Sequence, residues 1–526
     1  MNQWSARAAG CDLALAAISG VLIAASMPKV SMWIVAWAAL VPFFHAVSAT
    51  NTRRSMFLGW IMGFVAYLGI LYWVVHTQVV YGGVPTVVAL AAMVLLAAAC
   101  ACYMAIFSLC LALAAGSGSG WSVLSAAPFL WVAQEYILSK FPLGGFPWQL
   151  LGYSQVPFLP AIQVADVTGV YGVSFLVVMV NAGLYRFLRR SRGWHREAAA
   201  VGTILALSLG YGLLQLHRHP PEESSSGKGV QTLLIQANID QGLKWDERFR
   251  TKTIEIYRNL SLKNGKNARF IIWPETAVPF YYQSNEKYRP IIQDVARRTG
   301  AYLLFGSPGW HRKDGEVSYF NSAFLLDPQG RTVGRYDKVH LVPYGEYIPM
   351  RRWMPFLNPL VQGVGDFTPG ERVAPMETEL GKIGVLICFE SIFPNLSRAM
   401  VRQGAWLLVN LTNDAWHGRT SEPYQHLNMA QMRSVENRRP SARATNTGIT
   451  AFIDETGRLQ ETLGLFRTGV LRRSISSNRE GQTFYTRFGD VFAILCLIVS
   501  ILMLSPRLSR VRVSIKRHIS YRRFFS

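Results

Sequence analysis

The sequence predicts a polytopic α-helical membrane protein of about eight spans, with an α/β domain inserted before the last span. Three observations predict it. Half of the 526 residues are hydrophobic, and long runs almost free of charge fill the first 216 residues and recur near the C-terminus. Between them lies a stretch of ordinary globular composition in which strand and helix patterns alternate. Arginine clusters flank the apolar runs in positions that agree on one orientation in a bilayer.

A helix needs about 20 apolar residues to cross a bilayer. The candidate spans are 11–27, 32–49, 57–75, 85–114, 122–138, 161–185, 198–216 and 489–505. The first is read as a span rather than a cleaved leader, because a second apolar run follows after a short break at Pro28-Lys29. Arg53 and Arg54 follow the second run, and Arg186, Arg189, Arg190, Arg192 and Arg196 lie between the sixth and seventh. A basic tail follows the eighth. With the N-terminus inside, all three clusters fall in the cytoplasm and the large α/β segment falls outside. The chain therefore divides into a seven-helix membrane domain at 1–216, a linker at 217–230, an α/β domain at 231–488, a final span at 489–505 and a basic tail at 506–526.

Two places interrupt the apolar runs. Glu135 stands near the end of the fifth, ahead of a loop dense in glycine, proline and aromatics that contains Trp148. Such a loop suits the outer interface, where tryptophan and tyrosine favour headgroup depth. Asp166 stands near the start of the sixth. An acid there is costly enough to suggest either a role or a buried partner.

The linker, rich in Pro, Ser and Gly, opens the α/β domain. Strand patterns follow at 232–239, 269–273, 301–306, 321–326, 381–388 and 405–411, with helical patterns at 246–264, 290–298 and 395–403. Alternation of this kind places functional residues at strand ends.

The net charge of +22 is not read as a nucleic-acid footprint, since much of the excess flanks apolar runs. Of the six cysteines only Cys388 lies in the soluble segment, so no disulfide framework is expected there. Cys388 ends the buried-strand pattern Gly381-Lys-Ile-Gly-Val-Leu-Ile-Cys388 and is followed by Phe389 and Glu390. Glu275 follows Ile271-Ile-Trp-Pro274, and Lys338 lies in Arg335-Tyr-Asp-Lys338. A carboxylate, an amine and a thiol suffice for acyl transfer: base, electrostatic stabiliser and nucleophile. Spacing alone does not show that they meet. His340, His417 and His426 lack zinc-ligand spacing, and no metal or cofactor is expected.

Trp273-Pro-Glu-Thr276, Tyr336-Asp-Lys-Val-His-Leu-Val-Pro-Tyr-Gly-Glu346, Ile387-Cys-Phe-Glu390 and Leu411-Thr-Asn-Asp-Ala-Trp416 resemble, in order, motifs of the nitrilase (carbon–nitrogen hydrolase) superfamily. The resemblance implies a four-layer αββα sandwich and a Glu275–Lys338–Cys388 triad. With the membrane part included, the whole chain resembles the bacterial apolipoprotein N-acyltransferase family. That implies an inner-membrane enzyme with a periplasmic catalytic domain. Its acyl donor is a phospholipid and its acceptor the N-terminal cysteine of a diacylglyceryl apolipoprotein, joined through a thioester on Cys388. The expected partners are these two substrates and the lipid bilayer, for a monomer with no nucleic-acid partner.

The resemblance also implies supporting roles for Glu346 beside Lys338 and for Phe389 and Glu390 beside the nucleophile. Phe389 stands where the family often has tyrosine, so a hydroxyl is absent there. Trp245 matches the tryptophan of a mobile lid, and Trp416 and Trp148 are assigned to substrate contact. The same triad would serve a membrane-tethered amidase or nitrilase acting on a soluble amide, with water as second acceptor.

Overall fold

The computed structural model describes residues 3–48, 50–115, 121–221, 229–347, 367–476 and 481–505, with side chains from residue 10 onward. The basic tail 506–526 and residues 222–228 of the 217–230 linker lie outside the described residues. Among the described residues, four helices are long and apolar enough to cross a membrane: Thr52–Leu71, Thr86–Ala115, Val170–Leu188 and Trp194–Arg218. Four shorter apolar helical stretches accompany them, Gly10–Ser26, Trp33–Val47, Val123–Leu138 and Val491–Ser505.

Two expected spans are broken helices. The 32–49 stretch is a 3-10 turn, Trp33–Trp37, followed by a short helix, Val41–Val47. The reason is an inserted side chain: Asn181 Nδ2 donates to the Ala36 carbonyl, and Asn181 Oδ1 accepts the Leu40 amide at 2.7 Å. The 161–185 stretch is interrupted at Gly169, which adopts φ +66°, and the long helix starts only at Val170. A Cβ at Gly169 would lie 2.6 Å from the Tyr485 ring, so glycine is required there for space as well as for backbone angle.

The α/β domain contains two sheets. The strands are β1 Val230–Gln236, β2 Phe270–Ile272, β3 Tyr302–Lys313, β4 Glu316–Leu326, β5 Thr332–Asp337, β6 Ile383–Ile387, β7 Leu407–Thr412, β8 Ser441–Thr445, β9 Thr450–Ile453, β10 Leu459–Leu463 and β11 Gly469–Ile475. One sheet runs β11-β1-β2-β3-β4-β5 and the other β10-β9-β8-β7-β6. In each, three neighbouring strands are parallel: β1, β2, β3 in the middle of the first and β6, β7, β8 at one end of the second.

Alternation along the strands builds the layers. Leu234, Phe270, Ile272, Leu304 and Leu325 face the second sheet and pack with Val385, Ile387, Val409 and Ala444. Their neighbours Leu233, Ile235, Ile271, Leu303 and Phe305 face the other way, onto Ile254, Tyr257, Ile292 and Val295 of the helices Glu247–Asn264 and Arg289–Thr299. Both faces are buried, which explains why these strands read as continuous apolar runs. The outer face of the second sheet is covered by the helices Pro394–Arg402 and Glu422–Asn437. Met429, Met432 and Val435 of the latter join one apolar cluster with Leu130, Tyr153, Val170 and Tyr171 of the membrane part. The α/β domain is thus packed onto the helical bundle, not merely tethered to it.

Candidate active site

Three strand ends converge. Glu275 follows β2 by a turn in which Thr276 has φ +45°. Gly306 on β3 makes room for it: a Cβ there would lie 2.7 Å from Glu275 Cα. Lys338 follows β5, its amide donating to the Asn321 carbonyl at 2.9 Å. Cys388 follows β6 with φ +51°, a left-handed angle that non-glycine residues keep only where surroundings enforce it.

The polar groups interlock. Lys338 Nζ is 3.7 Å from Glu275 Oε1 and 2.9 Å from Glu346. Asn321 Nδ2 donates to both carboxylates, at 2.8 Å each. Glu346 also accepts the Val342 amide, which fixes its orientation toward Lys338. Burial alone would depress the Lys338 ammonium, but Glu346 and Glu275 hold its pKa well above the usual lysine value. It is a permanent cation. The Cys388 thiol is pushed well above its ordinary value by burial and then by Glu275, with Lys338 opposing. The resting nucleophile is therefore a neutral thiol, and nucleophilic attack requires a base.

Glu390 does a separate job. It is fully buried, and its Oε1 accepts from Tyr336 OH at 2.9 Å, the Val339 amide at 2.7 Å and the His340 amide at 3.2 Å. Its Oε2 accepts the Ile387 amide at 2.8 Å. Burial raises its pKa to about 7 against these donors. One carboxylate thus brackets the residue after Lys338 to the residue before Cys388.

Beneath the nucleophile lies a second buried network. His426 Nε2 lies 2.8 Å from Ser391 Oγ and 3.1 Å from the Cys388 carbonyl. Asp414, Glu422 and His426 bring donor atoms within 4.8 Å of one another, a spacing that could hold a metal. The Arg443 guanidinium is already there, 2.8 Å from Asp414 Oδ2 and 3.2 Å from His426 Nδ1. An arginine supplies the positive charge that these acids need. Burial, with Arg443 adding to it, holds His426 below the usual imidazole value, so the ring is neutral.

The remaining residues singled out from the sequence fall in different places. Phe389 stacks loosely on Trp148, with centroids 6.4 Å apart, and meets Phe393 edge-on. Trp148 is 2% exposed, donates to Gln425 Oε1 at 2.8 Å and packs on Phe146, which makes it part of the wall beside Phe389. Trp416 meets Tyr81 edge-on at 5.4 Å. Trp245 is 43% exposed on the loop before the Glu247–Asn264 helix. Both acids that interrupt the apolar runs, Glu135 and Asp166, have structural partners. Glu135 accepts from Trp131 Nε1 and the Leu151 amide, at 2.8 Å each. Asp166 pairs with Arg438 at 2.9 Å and accepts from Tyr211 OH. Sequence reasoning missed Asn321, Lys244 and the roles of His426 and Arg443. Asn321 was the first residue of an expected strand, and a buried amide at such a place is the signal that was available.

A carboxylate, a permanent ammonium and a neutral thiol at converging strand ends are a set that suffices for acyl transfer. The Carbon-nitrogen hydrolase family pattern matches residues 234–485, and the Apolipoprotein N-acyltransferase N-terminal domain pattern matches residues 19–183. The chain is 43% identical over 495 residues to the apolipoprotein N-acyltransferase of Geobacter metallireducens, covering 92% of this chain and 93% of that one. It is 30% identical to the apolipoprotein N-acyltransferase of Chlorobaculum tepidum, covering 91% and 93%. Among solved structures, an amidase from Nesterenkonia sp. AN1 aligns at 20% identity and TM-score 0.38, covering 51% of this chain and 96% of that one. The chain belongs to the apolipoprotein N-acyltransferase family.

Proposed function

We propose that this enzyme moves an acyl chain from a membrane phospholipid to Cys388 and then to the α-amine of a diacylglyceryl apolipoprotein's N-terminal cysteine. Glu275 takes the thiol proton as sulfur attacks the ester carbonyl, and Lys338 stabilises the oxyanion. The ester C–O bond breaks, Glu275 returns the proton to the leaving glycerol oxygen, and a lysophospholipid departs. The amine then attacks the thioester, the C–S bond breaks, and the proton lost by nitrogen restores the thiol. Glu346 and Asn321 orient Lys338 and Glu275, while Glu390 sets the distance between the Lys338 and Cys388 segments. Trp245 and Trp416 are assigned to the rim that meets substrate.

One observation carries the lipid reading. Phe389, the residue after the nucleophile, packs with Trp148 and Phe146 onto an apolar cluster continuous with the membrane helices. A soluble amidase has no need of such continuity. Lifting an acyl chain into water would cost about 0.8 kcal/mol per CH₂, and docking the site at the bilayer avoids that. Depleting the enzyme in cells is expected to yield lipoproteins whose N-terminal cysteine lacks its N-acyl chain by mass spectrometry. Unchanged N-acylation would favour the amidase alternative.

The membrane arrangement belongs to the same reading. The four long and four shorter apolar stretches form eight passes, some of them broken, with 1–216 and 489–505 in the inner membrane and 231–488 in the periplasm. A cysteine introduced at Lys266 is expected to react with a membrane-impermeant maleimide added from the periplasmic side. Reaction only after the inner membrane is breached would overturn this orientation.

A further inference from the structure

Next to the triad lies a second lysine to which no step above gives a task. Lys244 is 1% exposed, although it belongs to the loop between β1 and the Glu247–Asn264 helix. Its Nζ donates to the Glu275 carbonyl at 3.2 Å and to Thr276 Oγ1 at 2.7 Å. Among the described residues no carboxylate lies within ion-pair distance of it. A buried ammonium with only neutral acceptors is expensive and calls for an explanation. The loop alternates: Leu243 and Trp245 are each 43% exposed, while Gln241 and Lys244 point inward. Gln241 Oε1 accepts from Asn413 Nδ2 at 2.7 Å, so the loop is pinned on the β7 side as well as at Glu275.

We propose that Lys244 is a positioning residue for the chemistry of the Cys388 thiol. Its ammonium holds the carbonyl and the neighbouring hydroxyl of the strained Glu275-Thr276 turn, fixing the geometry from which the Glu275 carboxylate addresses the sulfur. It also adds a positive charge that favours the thiolate, and it ties the exposed Leu243–Trp245 strap to the catalytic base. Unlike Lys338, which two carboxylates keep charged, Lys244 is free to lose its proton. Burial lowers its pKa to about 8, against the pull of Glu275 and Cys388. The other charged groups around this turn are Lys338 and, through Asn321, Glu346. Asp240 lies on the loop itself, accepting the Gly242 amide.

The consequence for catalysis rests on the thioester reading, so the test reads the thiol directly. Full-length protein in detergent is treated with iodoacetamide between pH 6 and 9.5, and alkylation of the Cys388 peptide is timed by mass spectrometry. The expected result is that Lys244→Met alkylates roughly tenfold more slowly than wild type near pH 6.5. The gap closes as pH rises through about 8, where wild type itself loses the charge. Lys244→Arg, which stays charged, is expected to restore the low-pH rate and to outpace wild type above pH 8. A gap that is the same at every pH, with no rescue by arginine, would mean a merely structural lysine and overturn the proposal, as would the absence of any gap. Thermal melting of each variant separates loss of fold from loss of thiol reactivity. Failure of wild type to acylate from phospholipid would count against the proposed function and leave this result untouched.

Discussion

Glu275→Gln is expected to separate two properties of Cys388 that usually move together. The negative charge of Glu275 raises the thiol pKa, so its removal makes the thiolate easier to form. Alkylation by a small electrophile should therefore rise at a given alkaline pH. Acyl transfer should fall by roughly 10²–10⁴, because no group remains to take the proton during attack and return it to the leaving oxygen. Glutamine keeps the Asn321 contact as far as shape allows, so the fold should survive. Measured together, the two rates test whether Glu275 acts as a base or only as a partner of Lys338. A variant that loses alkylation and transfer in parallel would point to a displaced sulfur instead.

Arg438→Ala is expected to be the most destabilising single change at the junction between the two parts. The Arg438 and Asp166 side chains are 0% and 4% exposed and lie 2.9 Å apart, one on the catalytic domain and one on the membrane part. Arg438 also donates to the Gln163 carbonyl and the Glu455 carbonyl, at 3.2 Å each. Removing one partner leaves a buried charge without compensation, a loss of about 3–5 kcal/mol. The checks are a lower melting temperature in detergent and easier proteolysis of the 422–437 helix. The double variant Asp166→Asn, Arg438→Ala should recover part of the loss, since no unpaired carboxylate remains. A double variant as unstable as the sum of the two singles would show that the pair is not coupled.

The same helix accounts for much of what was hidden in the sequence. Residues 422–437 contain Gln425, His426, Gln431, Arg433 and Glu436, all buried, so no apolar stripe marks it as a helix. Its polar residues are used as contacts. Gln425 accepts from Trp73 and Trp148, Arg433 donates to Tyr153 OH at 2.9 Å, and Glu436 accepts the Val170 amide at 3.1 Å. None of these partners is near in sequence, and local pattern carries no trace of them. The strands β8 to β11 were missed for a related reason: Arg443 interrupts β8, and β10 is half-exposed and polar.

Glu275 and Cys388 were legible as candidates because each follows a buried apolar strand, β2 and β6, whereas Lys338 follows β5, a polar and half-exposed strand, and was singled out only by its motif. The motifs then supplied the order Glu275, Lys338, Cys388. What motifs could not supply was the support: Asn321 shared between two carboxylates, Glu390 bracketing two segments, and His426 at the Cys388 carbonyl. The two broken spans were illegible because composition does not reveal an asparagine inserted into a neighbouring helix, or a glycine forced to φ +66°.

The most direct measurement is to incubate the purified, full-length protein with a phospholipid carrying a labelled acyl chain and no acceptor. The account predicts a hydroxylamine-sensitive acyl group on the Cys388 peptide, with one lysophospholipid released per acyl-enzyme, and neither product from Cys388→Ala. Label on another residue, or lysophospholipid release that persists in Cys388→Ala, would contradict it.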